Sequence, residues 1–474
     1  MMTCRPSQAL LFLFFLAGCS DQQEVVGAEG EAESAAFALT DVDQVNQSQQ
    51  QQQQQCDGSP SSHGQAPAFD HPHRHHQHRH LGSAYTGKYR NLFREIGYSR
   101  QEIHDKLDGA FQQLFHGDAE TQAVYYEMGS NENGLLAQIR DIGNGDVRSE
   151  GMSYGMMIAV QFDRQAEFDA LWNWAQTYMR HADPANPAYR YYSWSLNYDG
   201  TVKDELPAPD GEEYIATALY FAAGRWGNRT GIYNYRSQAN EIVDAMKNRG
   251  DIGDVTSIFN LEQKQVRFTP NKANFVENGD HTDPSYHLPA FYELWARWGN
   301  PKDRQFWLDA AEVSRDFFVK TTNPTTGLAP DYANFDGTPK AASWEPLTVN
   351  FRFDAWRTAM NWSVDWAWFH DDPREVVLSN RIQTFFESQG LDTYFANYSL
   401  DGQPIVDYRS GGLIAMNAVA SLAATNPQYR DFVQALWDLE APSGQWRYYD
   451  GVLYLMALLH TAGDFRIYSP DHHR

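Results

Sequence analysis

The chain has 474 residues, long enough for a sizeable core, and its formal net charge of −24 comes with no Lys/Arg stripe, which excludes a nucleic-acid-binding surface. Aromatic residues make up 14 %, with 14 Trp and 26 Tyr, and no Ser/Pro-rich linker interrupts them between Tyr85 and Tyr468, so one long domain is expected. Trp and Tyr in such numbers beside acidic residues also suit a sugar-binding cleft, which offers flat stacking faces with polar edges.

Residues 1–18 read as a targeting segment: Arg5 precedes an apolar run over 9–17, the order of a secretory signal peptide. Leu16-Ala17-Gly18-Cys19 resembles a bacterial lipobox, so Cys19 is the expected lipidation site and the body would be held at a membrane, in the periplasm or at the cell surface. Cys4 leaves with the signal and Cys56 then stands alone, so no intramolecular disulfide is expected. Residues 19–82 are low-complexity, with a glutamine run over 49–55 and six histidines between His71 and His80. Too few apolar residues offset the ordering entropy, and a disordered tether is expected, its histidines solvated rather than holding metal. The folded domain is expected over 83–474.

Helical apolar spacing recurs over 100–115, 151–161, 165–179, 211–226, 237–248, 285–298, 302–320, 355–369, 373–388, 412–423, 429–439 and 447–459. Alternating patterns are few, apart from pieces such as 266–269, which argues against a doubly wound sheet. Twelve helices group as six hairpins. With no repeat of fixed period to suggest an open solenoid, the expected fold is all-α, two concentric rings of six with a cleft at one end.

Three acidic positions each open a helix. Glu150 lies in Ser149-Glu150-Gly151-Met152-Ser153-Tyr154-Gly155, among glycines and apolar residues that would press on the carboxyl, keep it protonated and leave room for a sugar. The alternative is a first-turn glutamate favoured by the helix dipole. Asp210 follows two prolines and has Glu213 three residues on, a capping-box spacing, yet a capping aspartate in a cleft can still offer an oxygen to a sugar hydroxyl. Asp354 in Phe353-Asp354-Ala355-Trp356-Arg357 has Arg357 one turn later, a partner that would keep it ionised for work as a general base, or a plain surface ion pair. Two carboxyl groups tuned apart are the signature of glycoside hydrolysis.

Gly151-Met152-Ser153-Tyr154-Gly155 also fits the nucleophile-elbow pattern of serine esterases, but the polar, glycine-rich residues 144–148 supply no buried strand before it. No zinc, Cys-pair or Walker motif is present, so neither metal nor cofactor is expected. His287 reads as a hydrogen-bonded core or cleft histidine. A glycan-binding protein without catalysis would need the aromatics but not two differently tuned carboxylates.

Taken together, Arg148 to Met156, Ala208 to Tyr214 with Arg225-Trp226-Gly227, Asp283-Pro284-Ser285-Tyr286, Phe353 to Arg357 and Arg447-Tyr448-Tyr449-Asp450 resemble glycoside hydrolase family 8 in kind and order. The resemblance implies an (α/α)6 barrel and an inverting mechanism, with Glu150 as general acid and Asp354 as the base that activates water. It further implies that Asp210 holds and helps distort the sugar before the cut, and that Trp194, Tyr154, Tyr286, Arg357 and Tyr448 or Tyr449 line the cleft. Within the family, the likeness runs to the reducing-end xylose-releasing exo-oligoxylanases, implying a xylo-oligosaccharide substrate and a monomer without cofactor. One stretch departs from that branch: Tyr408-Arg409-Ser410-Gly411 stands where its members carry a Leu-His-Pro loop that blocks the cleft, so endo-xylanase action stays open.

Overall fold

A computed structural model describes residues 82–271 and 280–471; the expected signal segment, Cys19 and the Gln/His-rich stretch through residue 81 lie outside them. Twelve helices of two or more turns organise the described residues: α1 (Arg100–His116), α2 (Ser149–Gln161), α3 (Gln165–Trp174), α4 (Pro209–Trp226), α5 (Tyr235–Asn248), α6 (Pro289–Trp298), α7 (Arg304–Thr321), α8 (Thr358–Phe369), α9 (Arg374–Gln389), α10 (Gly411–Val419), α11 (Tyr429–Asp438) and α12 (Arg447–Thr461). Even-numbered helices form an inner ring. Neighbours in it touch in turn, α4 meets α6 through the Tyr214 and Phe291 rings at 4.9 Å, and α12 returns to α2 to close the circle. Odd-numbered helices pack outside, α3 on α2, α5 on α4, α7 on α6, α9 on α8, α11 on α10 and α1 on α12. This is the (α/α)6 barrel expected.

Sequence pattern decides which ring a helix joins. Every residue of α2 except Glu150 is buried, as an all-round apolar helix must be. In α11 only Tyr429, Phe432, Val433 and Leu436 are buried, the single stripe of a helix with one wet face. The rings are also joined by charge: the buried guanidinium of Arg315 in α7 pairs with Asp365 of α8 at 2.7 Å and with Glu293 of α6 at 3.3 Å.

Two inner helices begin three or more residues later than their apolar spacing predicts, and both shifts bear on the cleft. The segment expected to open α6 is a 3-10 turn, Pro284–Tyr286, capped by Asp283; His287 is extended and Pro289 cannot donate a backbone bond, so α6 starts only there. Ahead of α8 the residues Phe353–Arg357 form another 3-10 turn. Short ladders, mostly unseen in the sequence, brace the loops. They are β1 (Tyr125–Asn131) with β2 (Gly134–Ile139), then β3 (Val147–Arg148), β4 (Ser195–Leu196) and β5 (Val202–Asp204) in one sheet, β6 (Phe259–Asn260) with β7 (Gln265–Val266), and β8 (His281–Thr282) with β9 (Ala333–Asn334). β3 runs directly into α2 and β8 into the turn before α6, so these ladders fix the N-terminal ends of inner helices.

Candidate active site

The first turns of α2, α4 and α12 and the 3-10 turn before α8 converge at one end of the barrel. Glu150, its side chain 14 % exposed, is the only residue of α2 that reaches the opening. Its Oε1 accepts from the Tyr448 hydroxyl of α12 at 2.8 Å, and Oε2 lies 3.1 Å from Nη1 of Arg357. The glycines beside it serve packing and do not, as the sequence suggested, make room for a sugar. A Cβ on Gly151 would stand 2.5 Å from the Tyr448 ring, and one on Gly155 2.5 Å from Ile139. Ser153 is fully buried, its hydroxyl donating to the Glu150 carbonyl at 2.8 Å, which leaves no exposed nucleophile in the elbow-like motif.

Asp210 occupies the first turn of α4 but does not cap it. With Ala208 at the cap position and Pro209 opening the helix, the expected capping box with Glu213 does not form; Glu213 instead accepts from the Tyr292 hydroxyl at 2.7 Å. Asp210 Oδ1 accepts from the next backbone N–H at 2.9 Å, and Oδ2 from Arg357 Nη1 at 2.7 Å. A Cβ on Gly211 would lie 2.6 Å from Ser149, so its absence lets α4 approach α2 and sets Asp210 beside Glu150.

Arg357, only 1 % exposed, is the hub. Besides Glu150 and Asp210 it holds Asp354, Nη2 to Oδ1 at 2.7 Å across one helical step, and donates to the Tyr154 hydroxyl at 2.5 Å. The rings of Tyr154, Tyr286 and Tyr449 surround its guanidinium carbon at 5.9, 6.0 and 5.9 Å, cation–π distances that offset burial of the charge. Tyr449 donates to the Phe353 carbonyl at 3.0 Å and so ties α12 to the turn bearing Asp354. Trp194 is half-buried next to Arg148, and its carbonyl accepts from Ser149 N at 2.9 Å, at the doorstep of Glu150.

Burial pushes the Glu150 carboxyl up to about 7, against the pull of Arg357 and with a further push from Asp210 and Asp354; the Tyr448 hydrogen bond works downward. Asp210 is raised as well, again by burial first. Asp354 is the most open of the three, its side chain 28 % exposed. One carboxyl able to keep its proton near neutrality thus faces a second, more open carboxyl group across a guanidinium, an arrangement suited to giving a proton to one group and taking one from another. His287 is a core residue: fully buried, bonded to Ser314 and Thr282, stacked on Phe317, and driven down to about 3 by burial. Four buried carboxyls near the site have no role in the sequence analysis as site residues: Glu212, Glu213, Asp283 and Asp331. Glu212 stands beside a glycine and Asp283 and Asp331 beside prolines, as loop and helix-start residues commonly do, so no local signal sets them apart; helix and turn packing brings them to the cleft.

The family model for glycosyl hydrolases family 8 matches residues 131–463. A reducing-end xylose-releasing exo-oligoxylanase, Rex8A of Paenibacillus barcinonensis, is 42 % identical over 82 % of this chain and 98 % of its own length. Another such enzyme, from Halalkalibacterium halodurans, is 41 % identical over 82 % of this chain and 97 % of its own. Among solved structures, a family 8 xylobiose complex from Teredinibacter turnerae superposes with a TM-score of 0.80 at 54 % identity, over 82 % of this chain and all (100 %) of that one. With the barrel, the convergent carboxyl groups and these matches in hand, the chain belongs to family 8 of the glycosyl hydrolases.

Proposed function

We propose that this glycoside hydrolase cleaves β-1,4-xylo-oligosaccharides with inversion and releases xylose from the reducing end. The observation that carries the reading is the guanidinium of Arg357 between a buried Glu150, whose carboxyl burial raises to about 7, and the more open Asp354. Glu150 protonates the leaving oxygen, Asp354 takes a proton from the attacking water, and Asp210 holds the sugar between them. Such a pair acts by inversion when the carboxyl groups stand roughly 6.5–9.5 Å apart, with room for a water. The exo-oligoxylanase names of the relatives at 42 % and 41 % identity support the substrate and the site of cleavage.

A second reading, endo action on longer chains, is favoured by the 408–411 stretch. Tyr408 is 44 % exposed and Ser410 is tied to Asp450 at 2.7 Å, with no Leu-His-Pro blockade; a catalytic mutant of the Teredinibacter turnerae protein, titled a xylanase, was solved with xylohexaose at 54 % identity to this chain. Digestion of xylotetraose followed by NMR separates the outcomes. Xylose and xylotriose with the α-anomer formed first fit the main reading, early xylobiose fits endo action, and a β-anomer formed first would sink inversion.

We also propose that the chain is exported and anchored through lipidated Cys19, so that Cys19→Ser would move it from the membrane to the soluble fraction.

A further inference from the structure

The 3-10 turn that carries Asp354 is flanked by two buried carboxyl groups that the reaction as described leaves unused. Antiparallel pairing of β8 with β9, Thr282 opposite Ala333, leads Asp283 to a place opposite Tyr332, one residue along from Asp331, and the turn that Asp283 caps packs on the turn that carries Asp354. Asp331 Oδ1 accepts from Ala355 N, the residue after Asp354, at 3.3 Å. Asp283 is fully buried; its Oδ1 caps the turn bearing Tyr286 by accepting from Ser285 N at 2.7 Å, while its Oδ2 has no hydrogen-bond partner among the described residues. A buried carboxylate oxygen without a partner is costly, whereas a carboxylic acid in that place has a proton to give.

We propose that Asp283 and Asp331 form a three-carboxyl cluster with Asp354, in which the two buried members act as hydrogen-bond donors that orient Asp354, making them positioning residues for the base. This rests on the role of Asp354 proposed above. Charge supports it. Arg352 and Arg357 are the cations facing the cluster, and Arg357 is already shared with Glu150 and Asp210. Three charged aspartates would therefore repel one another, and burial holds Asp283 and Asp331 well above the ordinary carboxylate range, with Asp354 adding to the push. A neutral donor beside the base costs nothing in repulsion and restricts which oxygen of Asp354 turns to the water.

The two jobs of Asp283 can be separated by substitution. Asp283→Ser keeps a capping oxygen but has no second oxygen to donate, and Asp283→Asn keeps both a cap and a donor. On xylotetraose the serine variant should lose roughly tenfold to a hundredfold in kcat at unchanged KM and thermal midpoint, while the asparagine variant stays close to wild type. Wild-type kcat in a folded Asp283→Ser protein would overturn the proposal. So would a displaced acid limb of the pH profile in Asp283→Asn, because the group would then be acting as a charge; that second variant decides if the first does not fold. Asp354→Asn serves as the control. Full activity there would remove the base assignment itself, whereas an inactive Asp354→Asn beside a fully active Asp283→Ser would remove only this inference.

Discussion

At the scale of single residues the site is an exercise in keeping several carboxyl groups at different proton affinities around one cation. Arg357 reaches Glu150, Asp210 and Asp354 within 3.1 Å, yet Glu150 is raised to about 7 because burial outweighs that attraction. In the proposed role of general acid it must carry its proton, so kcat/KM should fall as pH rises through about 7. Tyr448 donates to Glu150 and favours its ionised form, so Tyr448→Phe should move this alkaline limb to higher pH, measurable on xylotetraose across a buffer series. A limb that stayed in place or moved down would assign it to another group. For Asp354→Asn the proposed role of base predicts a loss in kcat of roughly 10²- to 10⁴-fold, the worth of a positioned general base, with an unchanged thermal midpoint.

Elements meet at the site through glycines, and at Gly151 two effects of opposite sign compete. In the interior of a helix, alanine is favoured over glycine by about 0.5–1 kcal/mol. Here the added methyl would stand 2.5 Å from the ring of Tyr448, itself almost wholly buried, and overpacking of that kind costs about 1–3 kcal/mol. The clash should win. Gly151→Ala is expected to lower stability in urea unfolding and to pull Tyr448 off Glu150, whereas a stabilised, fully active variant would show that α2 and α12 can slide apart. A different link joins the two rings, where Asp365 of α8 answers the buried Arg315 of α7. Asp365→Ala removes the closest partner of that guanidinium and leaves Glu293 and Glu312, so it should cost about 1.5–3 kcal/mol in the same measurement, the worth of a hydrogen bond to a charged group.

For the whole molecule the buried carboxyls set how stability responds to pH. Glu212, whose Oε1 accepts from Tyr192 N at 3.0 Å, and Glu213 are fully buried, and burial raises both well above the ordinary glutamate range. Because their folded pKa exceeds the unfolded one, the folded chain binds these protons more tightly. Their stabilising effect is complete below the unfolded value of about 4.3 and is lost as pH rises through the folded value. The thermal midpoint should therefore decline on the alkaline side. In Glu212→Gln and Glu213→Gln that decline should be shallower in calorimetric scans from acid to alkaline pH, and curves parallel to wild type would assign the pH dependence to other groups.

The sequence by itself determined the twelve helices and their grouping. Apolar period and the contrast between all-round apolar and one-striped segments are local properties, and they also separate an inner helix such as α2 from an outer one such as α11. It brought forward Glu150, Asp210, Asp354 and Arg357 as well, because an acidic residue opening an apolar helix is visible in a few neighbouring positions, and the pairing of Asp354 with Arg357 spans a single turn. Tertiary structure alone decided what those residues meet. That Arg357 also holds Glu150 and Asp210, that Gly151 makes way for Tyr448 and not for a sugar, and that Glu213 bonds Tyr292 instead of closing a capping box all depend on helices some 80 to 300 residues apart in the chain. The buried carboxyls Asp283 and Asp331 are the clearest case, since nothing in their neighbours distinguishes them from loop aspartates. Only the closing of the ring takes them out of water, and the packing of one 3-10 turn on the other and the Ala355 N–H bond to Asp331 set them by the turn of Asp354.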